Sequence, residues 1–245
     1  GNTYYVGTCG IAAILIAGDD GHVLIDSGTE AGARIVLDNI RTLGFEPNDV
    51  EALLHSHEHF DHVGGHSVVQ QASGATIIPS MKSSEVLRTG ISARNDPQFG
   101  MHDPMSPVQV GRPIQQGEAF TINGLGSFVA IDTPGHTPGA LSWQWESCEG
   151  DQCLTIVYAD SLSPVSSDDY NFSDHPEYLV EYFAGLERLS ELQCDILLTP
   201  HPSHSRMLRR MRDNEMIEPA ACVYYAIGKA NDLEARLERE AGGDQ

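Results

Sequence analysis

The run His55-Ser56-His57-Glu58-His59-Phe60-Asp61-His62-Val63-Gly64-Gly65-His66 decides how this chain is read. It follows an apolar, strand-like stretch, Ala52-Leu53-Leu54. In an extended segment leaving a strand, alternate side chains point the same way, so His57 and His59 can grip one cation from one side. Asp61 and His62 come after the chain turns into a helix and can face a second cation. Imidazole and carboxylate are zinc's usual ligands where thiolates are absent. A solvated loop does not require this density of imidazoles. A purification tag would not be interleaved with acidic and apolar residues.

Outward from that turn, the chain alternates between strand-like and helical pieces. Residues 4–7, 10–17 and 22–26 are β-rich and separated by Gly and Asp turn signals, which predicts a meander. Residues 30–43 carry apolar side chains at helical spacing, and 51–55 is a strand leading into the histidine run. Residues 65–72 read as a helix and 75–79 as a strand. Residues 81–112, with Pro97, Pro104 and Pro107, read as a long irregular loop that serves as a lid or substrate wall, with Gln98 and Phe99 as lining candidates. Strands return at 128–132, 140–145 and 154–158. An amphipathic helix (177–192), a strand (195–199) and a terminal helix (218–240) complete the chain. Strands followed by a helix, twice over, predict an α/β fold: a four-layer α/β/β/α sandwich forming one domain, residues 1–245.

The 245 residues include 14 Lys and Arg against 35 Asp and Glu, a formal charge of −21. A surface that acidic repels phosphate backbones and anionic lipid heads, so nucleic acid and membranes are poor partners. No apolar run approaches the roughly 18 residues of a membrane span, and no signal peptide is visible. Arg206, Arg209, Arg210 and Arg212 read as one solvated helix face. The chain contains no SxxK or GxSxG, which disfavours a serine hydrolase. With five cysteines and no CxxC, a thiolate zinc finger is excluded in practice. Cys148 and Cys153 flank a polar turn between two strand-like runs. A disulfide there would clip the hairpin and require an oxidising compartment. Five reduced, mostly buried thiols fit the same composition.

Two further histidines sit just after strands: His136 in Thr133-Pro134-Gly135-His136-Thr137-Pro138-Gly139, and His201 in Leu198-Thr199-Pro200-His201-Pro202. Strand-end loops gather at one edge of a sheet and commonly build active sites. His22, His102 and His175 lie in polar or turn contexts and are expected in solvent. His55 and His66 are expected to be buried support, and His204 is a candidate for the cleft wall.

The segments 22–28 (HVLIDSG), 56–65 (SHEHFDHVGG), 133–139 (TPGHTPG), 158–163 (YADSLS) and 197–202 (LLTPHP) resemble the metallo-β-lactamase superfamily, and most closely its subclass B3. The likeness runs in order over residues 4–240. The subclass rests on the last two segments and on Cys194 and Cys222. The resemblance implies two Zn2+ per chain, one bound by His57, His59 and His136, the other by Asp61, His62 and His201. It implies that zinc acidifies a water to hydroxide, which attacks a β-lactam carbonyl while Asp61 orients it. Ser161 would sit beside the second zinc, Ser163 would meet the substrate carboxylate, and Asp26 would orient a ligand from behind. A Cys194–Cys222 bond would tie the last helix to the strand leading to His201, leaving Cys9 as a buried free thiol. The expected partner is a small-molecule β-lactam, the expected state a monomer, and the expected location the periplasm.

Three other readings stay open. A glyoxalase II-type thioesterase or a lactonase uses an Asp that bridges the metals, and Asp160 in Ala159-Asp160-Ser161 lies close to that pattern. A nucleic-acid-processing relative is opposed by the charge. A non-catalytic zinc module is opposed by the open coordination position that three imidazoles leave.

Overall fold

The computed structural model describes residues 1–242; residues 243–245, the end of the expected 1–245 unit, lie outside the described residues. Two five-stranded sheets form its centre. The first contains β1 (Thr3–Tyr5), β2 (Ile14–Ala17), β3 (His22–Ile25), β4 (Val50–Leu54) and β5 (Thr76–Ile77), in that order. The second runs β10 (Ile196–Leu198), β9 (Gln152–Tyr158), β8 (Leu141–Glu149), β7 (Gly126–Asp132) and β6 (Ala119–Ile122). Each sheet is an antiparallel meander that gains parallel strands after helical crossovers: β4 on β3, β5 on β4, and β10 on β9.

The strand period of two sorts the side chains into layers. Ile14, Ile16, Val23, Ile25, Ala52 and Leu54 point inward against Phe128, Ala130, Trp143, Ile156 and Tyr158 of the other sheet. Their neighbours Leu15, Leu24 and Leu53 point outward, under Ala33, Val36 and Ile40 of α1 (Glu30–Thr42). On the far side, Val157 and Leu197 meet Tyr182, Leu186 and Leu189 of α5 (Pro176–Ser190) and Tyr225 and Leu233 of α7 (Ala221–Gly242). Helix, sheet, sheet, helix is the expected order of layers. Shorter helices complete the chain: α2 (Phe60–Val63), α3 (His66–Ser73), α4 (Ser84–Thr89) and α6 (Met207–Asp213). Among the described residues no helix is long and apolar enough to cross a membrane.

Several local expectations need correction. The stretch 81–112 is not uniformly irregular, because α4 lies inside it and buries Val86 and Leu87. A six-residue helix offers too short a periodic pattern to recognise between prolines. His22 is not in solvent. It begins β3, is 5% exposed, and packs edge-on against Phe45. Cys9 is free as expected, but it is exposed in the β1–β2 loop rather than buried.

Cys148 and Cys153 face each other across the β8–β9 ladder and are bonded. Cys194, just before β10, is bonded to Cys222 in the first turn of α7. The second bond closes the longer loop, 28 residues against 5. Loop-closure entropy then makes Cys194→Ser cost about 3–4 kcal/mol of unfolding free energy, against about 2 kcal/mol for Cys148→Ser. Denaturant melts of the two variants should show that order. Equal losses would mean that native-state strain, not chain entropy, sets their contribution.

Candidate metal centre

The strands deliver the polar side chains to one edge. β3 and β4 are parallel and end together at Asp26 and the histidine run. In the other sheet β7, β9 and β10 share one direction, and their carboxyl ends lead to His136, to Asp160-Ser161-Leu162-Ser163 and to His201. The two sheets pack face to face, so these loops meet above the sandwich.

Two groups of potential ligands form there. One nitrogen each from His57, His59 and His136 lie within 4.8 Å of one another, and the same limit holds for His57, Asp61 and His62. His201 completes the second group. Its Nε2 is 3.3 Å from His62 Nε2 and 3.6 Å from Asp61 Oδ2, while His62 Nε2 is 3.2 Å from Asp61 Oδ2. The His57 ring lies against those of His59, His62 and His136, joining the groups.

The other ring nitrogens are held from behind. His57 Nδ1 is 2.8 Å from Asp160 Oδ1, and His59 Nε2 is 3.2 Å from Asp96 Oδ2. His62 Nδ1 is 3.2 Å from Asp26 Oδ2. His136 Nδ1 is 2.8 Å from the Ser163 carbonyl, to which it donates. Anchoring one nitrogen fixes the tautomer and aims the other, the arrangement found behind metal-ligating histidines. His57 Nε2, aimed inward, is buried without a hydrogen-bond partner. A buried orphan acceptor among imidazoles and a carboxylate fits a zinc ion.

The charges agree with that fit. Burial, then neighbouring imidazoles, pushes His57 well below its ordinary value, and burial and His59 do the same to His136, so both are neutral and able to donate a lone pair. Burial opposes a charged His62, yet Asp61 and Asp26 outweigh it and hold the ring up at about 10. Burial likewise opposes an ionised Asp61, and the His62, His201 and His59 rings outweigh it and hold the carboxyl well down. Without metal, a proton on His62 supplies positive charge at the carboxylate end of the site. Metal binding must displace that proton.

Asp26 joins the sheets beneath the ligands. Its Oδ1 accepts from the Ser56 amide at 2.7 Å, and its Oδ2 from Ser56 Oγ at 2.7 Å and Tyr158 OH at 2.8 Å. Its backbone has φ +61°, a left-handed conformation that Asp tolerates better than most residues. Leu162 also has a left-handed backbone (φ +47°), unfavourable for a leucine. It is held by its amide donating to Asp160 Oδ2 (3.1 Å) and by Tyr182 OH donating to its carbonyl (2.7 Å). That kink sets Ser161 and Ser163 side by side, their hydroxyls 3.4 Å apart. Gly135 (φ +153°) lets α5 approach the His136 loop, since a Cβ there would lie 2.4 Å from the Tyr182 ring.

The structure thus brings together His57, His59, Asp61, His62, His136 and His201, with Asp26 behind His62, Ser163 against His136 and Ser161 next to Ser163. Asp160 turns beneath His57. His55 is buried against Ser83 Oγ (2.9 Å) and His66 against Ser27 Oγ (2.7 Å), outside the ligand groups. His204 is exposed, its ring 5.0 Å from that of His201. Gln98 is buried in the loop that carries Asp96, while Phe99 is exposed. Three contributors escape sequence reasoning. Asp96 lies in a stretch with no periodicity. Glu58, buried inside the histidine run, accepts from Thr137 Oγ1 (2.5 Å) and the Gly139 amide (2.8 Å), locking the two motifs together. Its signal was an acidic residue within an otherwise ligand-like run. Lys229 reaches Ser163 from the last helix.

A family model described as the metallo-beta-lactamase superfamily matches residues 6–149. The solved structure of the MIM-2 metallo-beta-lactamase is 54% identical, covers 97% of this chain and 88% of its own, and superimposes with a TM-score of 0.93. MEM-A1, a subclass B3 metallo-beta-lactamase from a soil metagenome library, is 38% identical over 99% of this chain and 95% of its own, TM-score 0.95. SMB-1, a metallo-beta-lactamase bound to 2-mercaptoethanesulfonate, is 40% identical over 98% and 95%, TM-score 0.95. Among curated proteins, an uncharacterized protein of Bacillus subtilis is 28% identical over 58% of this chain. The chain spans 59%, 35% and 29% of the first three curated relatives it matches.

Removing the Asp26 carboxylate would strand four buried donors, the Ser56 amide and hydroxyl, the Tyr158 hydroxyl and His62 Nδ1. Asp26→Ala should lower the unfolding free energy by about 3 kcal/mol or more and weaken zinc binding about 10–100-fold. Denaturation and chelator competition measure the two effects. Unchanged zinc affinity would show that His62 needs no support.

Proposed function

Since the chain belongs to the metallo-β-lactamase superfamily, we propose that it is a subclass B3 zinc hydrolase that opens the β-lactam ring of penicillins, cephalosporins and carbapenems. The observation that carries this reading is the double convergence of ligands, His57, His59 and His136 beside Asp61, His62 and His201. The first three would hold one zinc and the second three another. Zinc bound there supplies Lewis acidity toward the lactam carbonyl and brings the pKa of a water to about 7.

The chain's own residues do the rest. Asp160, Asp96, Asp26 and the Ser163 carbonyl hold four imidazoles in the tautomers that leave one nitrogen free. Asp61, kept ionised, is an acceptor only, so it can take a hydrogen bond from the attacking water and orient it. Ser161 and Ser163 offer hydroxyls to the substrate carboxylate. The contact between Asp160 and His57 favours the lactamase over a thioesterase or lactonase, which would need Asp160 between the metals. The thiol-bearing anion bound to SMB-1 supports a small-molecule site. Two disulfides suit an oxidising compartment, and the proposed location is the periplasm, where the enzyme acts as one monomeric unit.

Hydrolysis of a penicillin, a cephalosporin and a carbapenem, with and without a chelator, tests the proposal. Chelation should abolish turnover and zinc restore it. S-lactoylglutathione turned over faster than every lactam would favour the thioesterase. His136→Ala should leave less than about 0.1% of turnover. Asp61→Ala should lower kcat about 100-fold and raise KM far less. An Asp61 variant altered in KM alone would contradict the orienting role.

A further inference from the structure

Lys229, on α7, is 8% exposed and is the only buried lysine or arginine among the described residues. An ammonium has three protons to donate. Lys229 Nζ donates to Ser163 Oγ at 2.8 Å and lies 3.4 Å from Asp232 Oδ2, whose side chain is 57% exposed. It also stands 5.5 Å over the ring of Tyr225, one turn earlier. One proton is left without an acceptor among the described residues, and the charge is only weakly offset. A buried cation in that condition is costly unless something else completes it.

The position of the cation says what that is. Lys229 lines a cleft of about 700 Å³ together with His204 and Ser205, and the His204 ring adjoins His201 at the second ligand group. Ser163 links the ammonium to the first group, because its carbonyl accepts from His136. Ser163 Oγ accepts from Lys229 and donates to the Ser161 carbonyl at 3.3 Å, a long bond that a carboxylate entering beside Ser163 would replace. A hydroxyl polarised by an ammonium is a stronger donor, particularly toward a carboxylate. The chain carries −21, so an anionic substrate gains no help from its overall field. At physiological salt that field is screened beyond about 8 Å, so the cations of the cleft decide, and of these (Arg206, Arg209, Arg210 and Lys229) Lys229 is the one that touches Ser163.

We infer that Lys229 is a substrate-recognition residue: with Ser163 it forms a two-donor receptor for the carboxylate of the β-lactam. The inference rests on the β-lactamase reading. It adds a residue from the last helix, far in sequence from every ligand-bearing segment.

The test uses the zinc-loaded, oxidised enzyme with Lys229→Met and Lys229→Gln. Both remove the charge, and Gln keeps a donor toward Ser163. Neither leaves a buried charge unpaired, so both should fold, which a melt verifies. KM for β-lactams should rise about tenfold, with kcat changed by less than about threefold. Inhibition by mercaptoacetate and by 2-mercaptoethanol separates recognition from structural support, because the two thiols differ by the carboxylate. Mercaptoacetate should weaken about tenfold in both variants while 2-mercaptoethanol does not. Equal weakening of both thiols, a loss of kcat at constant KM, or no change at all would overturn the inference. A wild-type enzyme that hydrolyses no β-lactam would instead sink the functional reading, and the thiol pair would still decide whether Lys229 receives an anion.

Discussion

The carboxylate of Asp26 is the constraint on which the rest depends. It ends β3 and accepts from Ser56 after β4, from Tyr158 at the end of β9, and from His62 above. One fully buried anion therefore gathers both sheets and one potential ligand. A buried charge with a single partner would be a liability. With four donors it is satisfied, and removing any one donor group weakens the join between the halves. The arrangement also explains the left-handed backbone at Asp26. The strand must turn abruptly for the side chain to reach under the histidine run rather than continue along the sheet.

A second set of ties works from outside. The Cys194–Cys222 bond holds the start of α7 against β10. Three residues on, Tyr225 OH donates to the carbonyls of Asp160 (3.0 Å) and Ser161 (2.8 Å), and one turn further Lys229 reaches Ser163. The loop so gripped supports His57 through Asp160 and His136 through the Ser163 carbonyl. Helix α5 closes the same loop through Tyr182, which needs Gly135 to come close. The disulfide thus acts on the metal centre through a helix, not through any contact of its own. Long reach of this kind needs rigid elements in series, and a helix pinned at its first turn is one.

Charge is divided between surface and site. The excess of acidic residues lies on a surface where water and salt screen it, whereas the carboxylates at the site are buried and matched to imidazoles. Burial raises the Asp160 carboxyl, whereas at Asp26 and Asp61 the neighbouring imidazoles and donors outweigh burial and hold the carboxyls down. In a chain of strongly negative net charge, that leaves buried imidazoles and carboxylates grouped as potential metal ligands.

How much could be read without coordinates follows from the range of the interactions. The sandwich was legible because strand and helix periods are local, and inward Ile14 and Ile16 alternate with outward Leu15 within four residues. The joint direction of His57 and His59 was legible for the same reason, as was the hairpin bond between Cys148 and Cys153. Asp96, Glu58 and Lys229 as partners of other segments, the turn of Asp160 toward His57, the left-handed Leu162, the burial of His22 and the exposure of Cys9 were not. Each depends on which distant segment comes to lie against it. Sequence alone determined the periodic pattern and the types of group near the turn after β4. Tertiary packing decided which groups face one another, because hydrogen bonding and desolvation act over a few ångströms of space and take no account of separation along the chain.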